Sequence, residues 1–126
     1  MEVGLVVNGT EKPKPSTRLV DIARGYFKKE GYKLKGEDVG IEGDSGVLRH
    51  FDLIVQKGHD EQVVRIRDWN RTIGVNVIIG LDTSAADVKM PNPIMIGDKF
   101  SDHAKSYSNR RKITLLTKQK LTTSFL

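Results

Sequence analysis

Two stretches of period-two alternation, residues 47–56 and 62–69, most constrain what this chain can fold into. In the first, Val47, Arg49, Phe51, Leu53 and Val55 share one parity, and Leu48, His50, Asp52 and Ile54 the other. Successive side chains of a strand point to opposite faces, so parity assigns each residue to a face of a sheet. Lys57-Gly58-His59-Asp60 between them supplies a hairpin turn, which predicts antiparallel neighbours.

The flanking sequence changes period. Upstream, Leu19, Val20, Ala23, Tyr26 and Phe27 recur at helical spacing, with Ser16 or Thr17 as N-cap and Gly31 as the glycine after the last turn. Residues 2–7 read as a short strand and 8–15 as a loop. Residues 32–35 alternate like a strand, and 36–46 are rich in turns, with a second extended piece over 39–42. Downstream, Ile73, Val77, Leu81, Ala85 and Val88 predict a helix stopped by Pro91-Asn92-Pro93. A buried strand over 93–97 follows. A helix capped by Ser101 or Asp98 then runs to about Arg111, and a last strand covers 113–117. The polar tail from Lys118 is expected to be loose, with Phe125 and Leu126 able to dock. Strands that alternate with helices are parallel. The expected fold class is therefore α/β, a central mixed β-sheet flanked by helices. It forms a single domain over residues 1–126 with its core at about 17–117, because a chain of 126 residues would be cramped as two.

Composition narrows the function classes. No apolar run approaches the roughly 20 residues of a membrane helix, and the longest candidate covers only 74–81. Glu2 and Gly4 interrupt the apolar start, so no signal peptide is read, and the chain holds no cysteine for a zinc–thiolate site or a disulfide. These features predict a cytoplasmic protein. The net charge of +5 is uneven: from residue 99 onward, seven bases against one acid leave +6, whereas the preceding 98 residues carry fourteen against fifteen and leave −1. A basic C-terminal stretch on a neutral remainder suggests a polyanion contact, and equally suits an ordinary solvated surface.

The chemistry concentrates in Gly43-Asp44-Ser45-Gly46-Val47-Leu48-Arg49-His50-Phe51-Asp52 and, a dozen residues on, Val63-Val64-Arg65-Ile66-Arg67-Asp68-Trp69. A glycine-rich approach leads to an acid on one strand, a hairpin follows, and then comes a strand with basic residues two apart. This order resembles the restriction-endonuclease-like, or PD-(D/E)xK, superfamily. The opening helix ending at Gly31-Tyr32 resembles archaeal Holliday-junction resolvases and Mrr-type endonucleases. The resemblance implies a restriction-endonuclease-like fold, DNA (duplex or branched) as partner, a homodimer, and Asp52 as ligand to Mg²⁺. A carboxylate suits that hard cation, which supplies a hydroxide nucleophile at neutral pH. The family's second acid and its lysine sit two apart on the next strand, and here those positions hold Arg65 and Arg67.

Arg67 keeps the charge and reach of lysine but neither gives nor takes a proton near neutral pH. Arg65 cannot ligate a metal at all. At 4 Å and an effective dielectric of ~20, two unit charges interact by about 4 kcal/mol, and a divalent ion feels about twice that. Asp21, Glu42 and Asp44 are the candidates for a substitute second acid. Asp68 has the wrong parity unless a bulge rotates it. Alternatively, Arg65 and Arg67 replace the metal's charge and grip a DNA phosphate directly, with Asp52 orienting one of them.

Further DNA-contact candidates are Arg49 and His50 beside Asp52, Arg71 opening the next helix, and the cluster Arg110, Arg111 and Lys112. Cations at a helix C-terminus are stabilising in any case. His50 is equally a structural histidine, His59 and His103 read as surface, and Asn76 is a weak candidate facing the site. Trp69 is more readily core than a base-stacking wedge. No phosphate loop of the Walker type and no serine–histidine–aspartate arrangement is present. Three readings stay open: a metal-dependent endonuclease (hydrolase) with a rearranged site, a non-catalytic DNA-binding module, or a structural protein that kept only the fold.

Overall fold

The hairpin expected between the two alternating runs forms the centre of the sheet. In the computed structural model, which describes residues 15–124, β2 (Leu48–Lys57) and β3 (Asp60–Ile66) pair antiparallel from Leu53↔Val64 to Lys57↔Asp60. β1 (Lys33–Glu42) pairs antiparallel with the other side of β2. β3 pairs parallel with β5 (Ile94–Gly97), and β5 pairs parallel with β7 (Thr114–Thr117). The sheet order is therefore β1-β2-β3-β5-β7. It is a mixed sheet whose late strands are parallel, as the alternation with helices predicts. A separate parallel pair, β4 (Thr72–Ile73) with β6 (Lys99–Phe100), joins the loops that follow β3 and β5.

Both faces of the sheet are covered. α1 (Pro15–Lys29) and α4 (Lys118–Thr123) place Leu19, Ala23, Phe27 and Leu121 over Leu53, Val55, Val64, Ile66, Ile94, Ile96 and Leu116. α2 (Val75–Asp87) and α3 (Asp102–Arg111) place Ile78, Leu81, Ala85 and Ala104 over Phe51, Ile54, Val63 and Met95. Burial on both faces is why Ile94-Met95-Ile96 is a continuous apolar run and not an alternating one. Gly31, at φ 93, closes α1, and the Tyr32 N–H reaches back to the Phe27 carbonyl at 2.8 Å. Ser101 caps α3 by accepting from the Ala104 N–H at 3.1 Å.

Several sequence expectations are corrected. Ser16 and Thr17 lie within α1, which begins at Pro15, a residue suited to a helix's first turn. β1 is one strand of ten residues, because its turn-forming residues fit an edge strand with an irregular register near Gly36. β3 ends at Ile66, three residues early. The tail from Lys118 forms a helix whose Leu121 is fully buried, with Thr117 Oγ1 accepting from the Lys120 N–H at 3.1 Å. The alternation in β2 also breaks: Phe51 packs with Ile54 under α2 and α3, whereas Leu53 and Val55 face α1. The break falls where β2 parts from β3 and is free to twist. The strand expected over 2–7 and the docking of Phe125 and Leu126 lie outside the described residues. No helix among the described residues is long and apolar enough to cross a membrane.

Candidate functional site

β2 and β3 part company at Asp52. Their ladder stops at Leu53↔Val64, and β2 continues to Leu48 paired only with β1. Two side chains bridge the resulting fork. Asp52 Oδ2 accepts from the Ile66 N–H at 2.7 Å, satisfying a donor that the missing ladder would leave orphaned. From the other strand, Arg65 Nε and Nη2 donate to the His50 carbonyl at 3.2 and 2.9 Å, and the guanidinium lies 5.1 Å from the centre of the Phe51 ring. Burial lowers the Arg65 pKa, and nearby Arg67 and Arg49 lower it further, while Asp52 opposes them. Arginine nonetheless stays charged at neutral pH.

The fork lies at the carboxyl ends of the parallel strands, the edge where open α/β sheets bind ligands. β3 leaves it through Arg67, whose N–H donates to the Ile96 carbonyl at 2.8 Å and so extends the parallel ladder. Trp69 follows, half-buried against the α2–α3 cluster. The guanidinium carbons of Arg67 and Arg71 lie 5.7 and 4.4 Å from its ring centre. Asp68, between them, pairs with Lys118 at 2.7 Å. Neither Arg67 nor Arg71 forms an ion pair with a described carboxylate.

The other predicted residues are placed as follows. Arg49 Nε donates to Asp87 Oδ2 at 2.9 Å. The same carboxylate accepts from the Ser45 N–H at 2.9 Å and the Ser45 hydroxyl at 2.7 Å. These hydrogen bonds, from Ser45 first and then Arg49, hold the Asp87 carboxyl down at about 2. Its approach is close enough that a Cβ at Gly43 would sit 2.0 Å from Oδ2. His50 turns to Asp38 on β1, exposed. Asp21 pairs with Arg24, Asp44 with Lys89 at 3.6 Å, and Glu42 is exposed at the end of β1. Asn76, also exposed, is the second residue of α2. Arg110, Arg111 and Lys112 sit just before β7, at the opposite edge of the sheet from the fork. There Arg111 Nε donates to Asp82 Oδ2 at 2.9 Å, and Tyr107 donates to the same oxygen at 2.6 Å. The basic stretch from residue 99 onward is thus divided between two edges and is not one patch. Sequence reasoning missed Asp87 and Lys118. A glycine-rich turn with free N–H groups calls for a capping acceptor, but nothing marks which distant acid provides it.

The donor set does not fit Mg²⁺. One Asp52 oxygen is engaged by Ile66, and Arg65, where the sequence resemblance would put a second acid, is a guanidinium engaged by the His50 carbonyl. Of the candidate second acids, Asp21 is paired with Arg24 and Asp44 with Lys89. Among the described residues no three His, Cys, Asp or Glu side chains form a group able to hold a metal.

Comparison with known proteins bears on the fold and the family. The fold is shared with the crystal structure of the protein of unknown function AF1548, at TM-score 0.78 and 17% identity, covering 89% of this chain and 67% of that one. It is shared also with the crystal structure of protein VC1899 from Vibrio cholerae, at TM-score 0.62 and 8% identity, covering 86% of this chain and 30% of that one. A search of curated proteins finds no match. The family model of the Mrr catalytic domain, described as a restriction endonuclease, matches residues 15–125. With a mixed sheet forked at Asp52 and helices on both faces, this chain belongs to the Mrr-type restriction-endonuclease family.

Proposed function

We propose that this protein binds DNA at the fork through arginine–phosphate contacts, without a divalent metal and without metal-dependent cleavage. Family membership supports a nuclease-like, DNA-directed role. The observation that carries the metal-free reading is the bridge from Arg65 to the His50 carbonyl. A fixed cation stands where relatives need an acid, so positive charge is built in and not recruited. Arg67 and Arg71 then supply the reach. A guanidinium presents five donors in a planar fork that matches phosphate bidentately, and such charge-assisted bonds are about twice as strong as neutral ones. Arg67 uses one donor weakly, on the Ile66 carbonyl at 3.3 Å, and keeps the rest. Asp52 orients this arrangement by tying β3 to β2, and Arg49, held by Asp87, adds to the field around Arg65. Within this proposal the protein acts in the cytoplasm as a homodimer that offers one fork to each strand.

The test is a gel shift in EDTA run beside a cleavage assay with Mg²⁺ or Mn²⁺. Binding that survives chelation, with no cutting, is the expected result. Loss of binding on chelation, or metal-dependent cutting abolished by Asp52→Ala, would show an active nuclease instead. Binding in neither condition would leave a protein that kept only the fold.

A further inference from the structure

Arg67, Trp69 and Arg71 occupy alternate positions in the irregular segment that joins β3 to β4, which bends at Asn70 and Arg71. Both guanidiniums lie against one indole, at 5.7 and 4.4 Å. A tryptophan serving only as core has no use for this company. Arg65, Arg67 and Arg71 bring three like charges within six positions of one another, and the acid among them, Asp68, is already paired with Lys118. Elsewhere in the described chain Arg24, Arg49 and Arg111 each have a carboxylate partner. Lys57 also lies over a ring, that of Tyr32, but among the described residues only Trp69 carries two guanidiniums, neither of them paired with a described carboxylate. The indole is held by packing against the α2–α3 cluster, so the platform is fixed, while Arg71 at its outer side is exposed.

Such a surface suits a nucleotide better than a continuous duplex. A phosphate relieves the repulsion among the arginines. A base adds π-stacking on the indole or on the guanidinium plane laid over it, a mode that tolerates any base. In an intact duplex both faces of each base are already stacked on neighbours. Only an unpaired base has a face to give.

We infer that the Arg67–Trp69–Arg71 stack is a binding platform for an unpaired nucleotide, so that DNA with a single-stranded segment beside a duplex is preferred over continuous duplex. This deepens the DNA-binding reading above and rests on it.

Trp69 is the sole tryptophan of the chain, so fluorescence excited selectively in tryptophan, beyond the absorption of the three tyrosines, reports on this site alone. The full chain is titrated in EDTA with a blunt duplex, the same duplex carrying a short single-stranded overhang, and the single strand. Affinities are read in parallel from the anisotropy of labelled DNA. The overhang and the single strand are expected to quench Trp69 and to bind about tenfold more tightly than the blunt duplex. Trp69→Leu keeps an apolar contact with the core but removes the ring, and should bring overhang affinity down to the blunt-duplex value. Trp69→Phe, which restores a ring, should recover part of the preference. Circular dichroism checks that both variants fold; if Trp69→Leu does not, Trp69→Phe and the wild-type quenching decide alone. Equal affinity for blunt and overhang DNA, or a preference that persists in a folded Trp69→Leu, overturns the inference and leaves phosphate binding intact. Failure of all three DNAs to bind overturns the DNA-binding reading with it.

Discussion

The chain carries two clusters of arginine at opposite edges of its sheet, and they differ in what surrounds the charge. At the end of α3, Arg111 is hydrogen-bonded to Asp82, which also receives Tyr107 and so ties α3 to α2. Lys112 closes the same helix in a left-handed conformation, at φ 59. This cluster is the denser in sequence and sits where cations stabilise a helix terminus. At the fork, Arg65 is bonded to a backbone carbonyl, and Arg67 and Arg71 rest on an indole, with no ion pair to a described carboxylate. A guanidinium matched to a carboxylate is part of the fold. Guanidiniums gathered without one have electrostatic work left for a ligand. Density of charge along the chain points to the α3 end, whereas the two guanidiniums stacked on one indole point, under the proposed function, to the fork.

Binding gives the widest test of this contrast. Replacing Arg67 and Arg71 together with alanine should lower DNA affinity about tenfold to a hundredfold, the effect of removing one or two charge-assisted bonds. It should also flatten the salt dependence by roughly one unit of slope for each phosphate that is no longer neutralised. Replacing Arg110 and Lys112 in the same way should change affinity by less than about twofold, since exposed charges far from the DNA are largely screened. Anisotropy titrations over a salt series measure both. A comparable loss from the α3 pair would erase the distinction between the edges.

The next effect is on stability and asks whether Asp52 is a bracket of the fork. Asp52→Ala leaves the Ile66 N–H without its acceptor and should cost about 1–3 kcal/mol in urea unfolding. Asp52→Asn keeps an amide oxygen for that N–H and should cost less than half as much. Equal losses in the two variants would mean that charge, not the hydrogen bond, holds the strands.

The smallest effect is read in acid and concerns Asp87, at the far end of β2's approach. Its folded pKa of about 2 lies below the ordinary 3.8. A depressed carboxyl contributes stability that is complete above the ordinary value and is lost as pH falls through the folded one. Wild type should therefore lose stability between pH 3.8 and about 2 that Asp87→Asn, weaker throughout, no longer has to lose. Thermal unfolding across that range, compared between the two proteins, checks it.

The fold was legible because most of its signals are local. The Gly58-His59 turn and the Ser101 cap each act over a few residues and are seen in the structure, whereas the parity of residues 47–56 holds only from Leu53 onward and α2 already ends at Asp87, ahead of Pro91. α4 was not legible, because Leu121 alone among polar residues makes no period. The continuity of β1 was hidden by glycines and an aspartate that ordinarily mark turns. At the site, the sequence puts Asp52, Arg65 and Arg67 in one neighbourhood, but it cannot show the bonds that define them. The bridge from Arg65 spans 15 positions to His50, and that from Arg49 spans 38 to Asp87, so each depends on how the sheet and α2 come together.

The hydrogen bond between Asp52 and Ile66 makes one amide unlike its neighbours in the sheet. Along β2 and β3 most amide protons are shielded by a partner strand and exchange with deuterated solvent only when strands separate. The Ile66 proton is guarded by a rotatable side chain, so a single χ1 rotation can release it while every ladder stays closed. In a nuclear magnetic resonance spectrum that one resonance should exchange and shift independently of the rest of the sheet. It is a built-in gauge of whatever arrives at the fork.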